Sequence, residues 1–548
     1  MLTPMAPAKL IATWFDAVVL DLGRQMRWTF LPPLMVYFAA GFSGLTMIVG
    51  TFFVKEYLDL SAAFLAGLAF WAGLPWALKM PLGHLVDIMW RWKWLLIYFG
   101  AGLIGLSVLI MYLLLTQTEQ MTAILPMNAW YILSYLLAPS GLVIQDAVAD
   151  AMSVEAVPRF DESGREIPLA QSRALHTTMQ TLGRFALISG TVAVALLNIY
   201  MFSGIEALDA EAKRATYALI YFTALLIPFV SVSGVILAAW QKYRLRRGLL
   251  RRGLSDAEAD TLFERSDEKT EPNPWYFIGG AGFVALSLTI GLSDIAYGQE
   301  IIFAGSMLIV LALMRQLLSV LAPAQARALI GTAIIIFIFR ATPLPGNGQT
   351  WFEIDVLGFD QQFLSILSLI TSVLTLVGIV ILRPLIAHRS IVSIIVLLTV
   401  AGGFLSLPNI GLYYGIQNIT AAMTGGVVDA RFIAILDTAI ESPLGQIAMI
   451  PMLAWIARNA PANLKATFFA VMASFTNLAL SASALLTRYL NEIFVITREV
   501  RDPATGQITI PADYSDLGIL LILVTLIAVG VPLLVVSMVQ NSPLRTHD

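Results

Sequence analysis

Fourteen runs of about twenty mostly apolar residues recur along this chain of 548 residues, and no layered soluble core could bury them all. A hydrocarbon layer about 30 Å thick needs about 20 such residues per helix. Lipid also demands that each segment satisfy its own backbone N–H and C=O groups, which a helix does. The runs lie near 32–53, 61–79, 94–116, 128–153, 171–200, 215–240, 275–293, 299–320, 326–342, 361–383, 390–415, 431–458, 463–493 and 515–538. Composition points the same way: 13% of residues are charged and 58% hydrophobic, against roughly 25% charged in soluble chains. The expected fold is therefore an all-α polytopic membrane protein.

One strongly hydrophilic segment, QKYRLRRGLLRRGLSDAEADTLFERSDEKTEP, divides the runs into six before and eight after. Two six-helix bundles built as repeated halves, with an extra pair inserted between them, account for that split. An inserted pair leaves the orientation of every later helix unchanged. The resulting divisions are an N-terminal amphipathic cytoplasmic segment at 1–30, a first bundle at 31–240, a charged linker at 241–274, an inserted hairpin at 275–320, a second bundle at 321–540 and a tail at 541–548. Asp16 and Asp21 interrupt the apolar stretch of the first segment, and no small-residue cleavage site comes after it, so it reads as a helix lying on the membrane rather than a signal peptide.

Basic residues set the orientation. Of the 33 Lys and Arg, this span order puts Lys55, Lys213, Arg214, Arg431, Arg488, Arg498 and Arg501 on one side. Arg184 and Arg340 fall inside spans, and all the others share the side of the N-terminus. That side is expected to be the cytoplasm, with both termini inside and the chain in the inner (plasma) membrane.

Several function classes are excluded or left without support. A net charge of −3 gives no basic character for nucleic acid, and the absence of Cys removes disulfides and thiolate metal sites. With 4 His and no paired ligand motif, neither a metal nor another cofactor is expected. No G-x-x-x-x-G-K-[ST] loop occurs, so nothing suggests ATP-driven transport, and no nucleophile motif suggests an enzyme.

Ionisable groups at bilayer depth cost about 2.5–3.5 kcal/mol each on insertion scales and usually face a cavity or a partner. Here they are few. The fourth run has Asp146 and Asp150, with Gln145 beside them and Glu155 at the cytoplasmic end; the fifth has Arg184, preceded by His176 and Gln180; the twelfth has Asp437 and Glu441, then Gln446. Both carboxylate pairs are spaced i, i+4 and so share a helix face. Each lies on the fourth helix of its half, where a pseudo-symmetric central cavity is expected. Asp146, Asp150, Arg184, Asp437, Glu441 and Gln446 are the candidates for handling solute and protons; the plain alternative is that the carboxylates neutralise Arg184 and hold helices in register. Two neighbouring carboxylates repel, which favours keeping a proton on one of them.

Between the second and third runs lies KMPLGHLVDIMWRWKW, where Lys79, Gly83, Asp87, Arg91 and Lys93 match the cytoplasmic loop motif of the major facilitator superfamily. Ile88 and Trp90 depart from it. A glycine there permits close helix approach, and an aspartate at a helix end can pair across the bundle and latch one state.

The chain further resembles the folate–biopterin transporter family within that superfamily. The resemblance rests on Lys55, Glu56, Leu58, Leu74, Pro75, Trp76, Lys79, Gly83 and Asp87, on DAVADAMSVEA from Asp146 to Ala156, on the stretch from Phe337 to Leu367, and on Gln446, Pro451, Pro461, Ala466, Thr467, Phe468, Ala470, Ser474 and Asn477. It implies a major facilitator fold and proton-driven movement of a small anionic heterocycle such as a folate or pterin, by alternating access. Trp71, Trp76, Phe339 and Trp351 are candidates to stack on such a ring. The alternatives are a carrier of the same fold for another metabolite, such as a muropeptide, and a membrane assembly or pigment-delivery protein on the same scaffold. The topology is directly testable in a chain without native cysteine: cysteines introduced at Gln349 and Thr505 are expected to react with impermeant reagents only from outside, and labelling only from the cytoplasm would overturn the span order.

Overall fold

The computed structural model describes residues 26–58, 60–77, 79–157, 167–251, 255–256, 274–291, 293, 295–318, 322–381, 390–444, 465–501 and 508–545. The proposed N-terminal amphipathic helix, most of the charged linker, and Gln446, Pro451 and Pro461 lie outside them.

The first half comprises α1 (Leu31–Phe42), α2 (Met47–Tyr57), α3 (Ala62–Ala77), α4 (Lys79–Ile88), α5 (Lys93–Thr116), the short α6 (Thr118–Thr122), α7 (Met127–Ala156), α8 (Leu169–Met201), α9 (Ala210–Ala224) and α10 (Leu226–Arg251). Pro32 and Pro33 open α1, where the first N–H groups have no intrahelical acceptor in any case. A 3-10 turn, Ser43–Thr46, joins α1 to α2 into one bent span. α10 runs to Arg251, past the expected end of the sixth run at 240. Its Lys and Arg are good helix formers, so the helix continues beyond the apolar stretch.

The inserted pair is α11 (Pro274–Gly291) and α12 (Gly298–Leu318). The second half contains α13 (Pro323–Arg340), α14 (Asn347–Asp355), α15 (Gln361–Ile381), α16 (Ile391–Leu405), α17 (Leu407–Tyr413), α18 (Ile416–Thr424), α19 (Ala430–Glu441), α20 (Lys465–Ile493), the antiparallel ribbon β1 (Val500–Arg501) and β2 (Ile508–Ile510), and α21 (Leu517–Gln540).

Among the described residues, 12 helical segments are long and apolar enough to cross a membrane. They match every expected run except 431–458 and 463–493. The first is described only as far as Leu444; α19 ends at Glu441 and gives way to a 3-10 turn carrying Pro443, which cannot donate to the helical ladder. The second is α20, a helix of 29 residues whose Asn477, Arg488, Asn491 and Glu492 dilute its apolar character.

The two halves meet through α3 against α20 and α8 against α15. Setting the inserted pair aside, these are the second span against the eleventh and the fifth against the eighth, the reciprocal contacts expected of two repeats related by a pseudo-two-fold axis. The bundle has two ends, each named for a lysine that lies there: the Lys55 face and the Lys79 face.

Inside the first half, α5 and α7 cross at two glycines. A Cβ on Gly100 would sit 2.7 Å from the Gly141 carbonyl oxygen, and one on Gly141 would sit 2.5 Å from that of Gly100. Backbone cannot yield there as a flexible side chain can. In membranes, where lipid is as apolar as Leu, such small-residue contacts are a main source of helix association. The Gly141→Leu variant is therefore expected to lose about 1–3 kcal/mol or more from overpacking. A lowered thermal midpoint of the detergent-solubilised protein checks this.

Candidate functional site

The crossing at Gly100 and Gly141 sets the rotation of the next turns of α7. One turn on, the buried Gln145 donates from Nε2 to the Ile97 carbonyl on α5 (3.2 Å) and to Ser231 Oγ on α10 (3.0 Å). With Gln145 tied to α5 and α10, Asp146 and Asp150 turn towards α3, α4 and α1. Pro75 interrupts the hydrogen-bond ladder near the end of α3, and the chain starts a new helix at Lys79. The side chain of Lys79 reaches Asp146 Oδ2 at 2.6 Å and Asp150 Oδ2 at 2.8 Å. Tyr37 of α1 donates its hydroxyl to Asp150 Oδ1 at 2.8 Å. Four side chains from three helices thus form one hydrogen-bonded group, in which a single ammonium faces two carboxylates.

This group joins residues that the sequence reading put in different places. Lys79 was expected in the cytoplasmic loop motif, and the two aspartates in the cavity. Arg184, a solute or proton candidate that the plain alternative made their counter-charge, is within electrostatic reach of Asp146 but is exposed, and among the described residues it makes no ion pair. Of the other motif positions, Lys93 is buried, lies 3.8 Å from the Trp90 ring centroid and pairs with Glu155 at 2.6 Å. That contact pins the start of α5 to the end of α7. Gly83 and Asp87 lie on α4, and Arg91 in the turn before α5. No described atom lies within 4 Å of a Cβ added at Gly83. The side chains of Asp87, His176 and Gln180 lie outside the described set.

The corresponding helix of the second half, α19, is described over Ala430–Glu441. Asp429 caps α19 by accepting from the Phe432 N–H at 2.8 Å, a standard N-cap arrangement. Asp437 is buried, and its Oδ2 accepts from Asn409 Nδ2 of α17 at 3.1 Å, while Oδ1 has no partner among the described residues. Glu441, one turn on, is exposed. The turn beyond it is held against α15, with Thr375 donating to the Ser442 carbonyl at 3.1 Å. The second-half pair therefore has an amide for company where the first-half pair has an ammonium. Gln446 lies outside the described residues.

Among the aromatic candidates, Trp351 is buried at the contact between the halves, within the apolar cluster of α2, α5 and α9. Trp71 packs edge-on against Phe70 and close to Gly291 of the inserted pair. Phe339 is partly buried against the cluster around α13 and α20. The carbonyl of Trp76 accepts from Asn477 at 3.4 Å across the halves. Tyr37 and Asn409 were not singled out from the sequence. A lone hydroxyl in an apolar span gives no signal, but Asn409, directly after Pro408 in an otherwise apolar run, was a polar amide at bilayer depth.

These centres sit in a fold shared with known transporters. The structure is similar to a POT family transporter solved in complex with 5-aminolevulinic acid (TM-score 0.56, 12% identity, covering 96% of each chain). It is also similar to the nucleoside transporter NupG (TM-score 0.54, 10% identity, covering 93% of this chain and 100% of that one). The curated folate-biopterin transporter of Synechocystis sp. (strain ATCC 27184 / PCC 6803 / Kazusa) is 24% identical over 475 residues, which cover 86% of this chain and 76% of that protein. The architecture is that of a major facilitator transporter, a multi-pass membrane carrier rather than an enzyme. Residues 40–547 match the BT1 family, and the chain belongs to it.

The shared ammonium gives an ordered prediction. Lys79→Met leaves two carboxylates facing each other; removing one partner of a fully buried pair costs about 3–5 kcal/mol, and less here because the Asp150 side chain keeps 44% of its exposure. Lys79→Met is expected to unfold at a lower temperature than wild type, and adding Asp146→Asn to it should recover part of the loss. A double variant no more stable than Lys79→Met alone would show that the pairing is not what the lysine contributes.

Proposed function

We propose that this protein is a proton-coupled secondary carrier of a small anionic heterocycle of the folate or pterin kind, working by alternating access in the inner membrane. In this reading both termini are cytoplasmic, so the Lys79 face is inside and the Lys55 face outside, as the distribution of basic residues supports. The observation that carries the proposal is the contrast between the two halves. Asp146 and Asp150 share Lys79, whereas Asp437 is buried with an amide and, among the described residues, an unpartnered oxygen. A carboxylate so placed is costly as an anion, which favours its carrying a proton.

Arg184 then has a distinct role. It is exposed on α8, a helix that packs on both α1 and α15, and among the described residues it holds no carboxylate. A guanidinium offers a planar fork of donors suited to the carboxylate of an anionic solute. The name of the cyanobacterial relative, a folate-biopterin transporter, supports the choice of solute. Gln446, on the same run as Asp437 and Glu441, is a further solute-facing candidate. The motif residues Lys79, Gly83, Asp87, Arg91 and Lys93 would govern closure of the inner side.

Uptake of labelled folate, pterins and a metabolite panel into proteoliposomes, with and without a pH gradient, tests the solute and the coupling together. Accumulation of a folate or pterin only when the gradient is imposed is the expected result. In the same assay Glu441→Gln is expected to abolish accumulation against a gradient while sparing exchange of solute present on both sides, because exchange needs binding and rocking but no proton release. Normal gradient-driven accumulation by well-folded Glu441→Gln and Asp437→Asn variants would remove the pair from the coupling role.

A further inference from the structure

Beside the apolar packing of Trp351, the Lys55 face carries polar contacts between the halves, several of them from segments outside the twelve-helix frame. Arg498 precedes β1 and is only 3% exposed. Its Nη2 donates to the Val54 carbonyl at 2.7 Å and also to that of Leu58. These oxygens lie at the C-terminal end of α2, where the dipole favours a cation; the Val54 carbonyl also accepts the Leu58 N–H at 3.2 Å. An arginine of the second half thus caps a helix of the first. Its guanidinium also lies 5.4 Å from the ring centroid of Trp351. The ribbon that carries it is closed at its base by paired backbone hydrogen bonds between Thr497 and Asp513, 3.0 and 2.9 Å.

Two further contacts reinforce this closure. Lys55 of α2 forms an ion pair with Asp355 of α14, and Tyr514 donates to the other Asp355 oxygen at 2.6 Å. Burial, with the Asp355 hydrogen bond adding to it, pushes the Tyr514 phenol up from its ordinary value, so it stays a donor. At the seam between α3 and α20, the inserted pair supplies Gln299. Its Nε2 donates to the Gly67 carbonyl of α3 at 3.2 Å, and its Oε1 accepts from Arg488 of α20 at 3.0 Å. Its neighbour Glu300 accepts from Tyr489. One glutamine side chain therefore bonds to both halves at once.

We propose that the two accessory elements, the ribbon carrying Arg498 and the inserted pair carrying Gln299, are latches that hold the Lys55 face shut and set how often it opens. The proposal rests on the alternating-access reading, in which these contacts part so that solute can enter from that side. The lysine–aspartate pair works beside them as a third point on the same face.

The test uses the full chain, which has no native cysteine to remove. Spin labels at Glu119→Cys and Met423→Cys sit on exposed positions of the Lys55 face, one in each half. Their distance distribution, measured by double electron–electron resonance, reports how far that face is open. Arg498→Ala and Gln299→Leu are each expected to raise the open-to-closed ratio about tenfold, equivalent to about 1.4 kcal/mol of lost preference for the closed state. Lys55→Asp should do the same, and the charge-reversed double variant Lys55→Asp/Asp355→Lys should restore the closed population. If Arg498→Ala does not fold, the less buried Gln299 and Lys55 variants carry the test. Unchanged distributions in folded variants would overturn the latch. Failure of the wild-type carrier to move folates or pterins, with the shifts still present, would sink the solute assignment and leave the latch standing.

Discussion

Everything at the Lys79 face depends on one ammonium placed between two carboxylates. Inside a low-dielectric bundle an unpaired charge is costly, and Coulomb attraction repays the desolvation only when geometry is close and the remaining polar atoms find partners. Lys79 meets that condition through contacts of 2.6 and 2.8 Å, and Tyr37 takes the second oxygen of Asp150. The requirement extends outwards. The aspartates can face Lys79 only if α7 is rotated correctly, Gln145 fixes that rotation, and Gln145 reaches α5 only because Gly100 and Gly141 let the two backbones meet. A packing contact, an amide and a salt bridge form one chain of dependence from glycine to charge.

The two halves use similar sequence for different electrostatics. Both carry carboxylates at i and i+4 on the fourth helix of the half. In the first half Lys79 bridges both carboxylates, and Tyr37 donates to the second oxygen of Asp150. In the second half the helix stops at Glu441, Pro443 prevents its regular continuation, and Asn409 offers only a neutral donor. A neutral amide stabilises an anion far less than an ammonium does. The two fourth helices thus place their carboxylates in different company, an ammonium in the first half and an amide in the second.

The fold was legible because lipid imposes a length and a composition on each helix, and those are properties of sequence alone. Run boundaries for 128–153 and 171–200 match α7 and α8 within a few residues. The failures are local and physical. The end of α10 was missed because Lys and Arg extend a helix while ending its apolar run. Within the site, the ionisable residues stood out by cost, but not their pairing: Arg184 was only the alternative's counter-charge for the aspartates, and Lys79 is the cation the helix crossings bring to them. Pairing across 67 residues is a property of packing. Arg498 was invisible for the same reason, since as a loop arginine it registered only as an orientation charge.

The polar contacts of the Lys55-face closure suit the latch proposed for them. An apolar seal over a large area would hold one state by many kilocalories, because its surface gains nothing on exposure to water. Backbone carbonyls, a glutamine amide and a partly buried ion pair are different: water replaces their partners when they separate, so each contributes only about 0.5–3 kcal/mol net. A two-state equilibrium that must be crossed in every cycle tolerates a bias of that size, whereas moving it from 1:99 to 99:1 already takes about 5.5 kcal/mol of differential binding. Arg498 is the instructive case. Its stem and guanidinium are buried, which gives the contact precision, yet its acceptors are the terminal carbonyls of α2 and the residue after it, which water can serve equally well once the face opens. These polar contacts are thus specific in geometry and shallow in energy, the combination that the proposed alternating access would require.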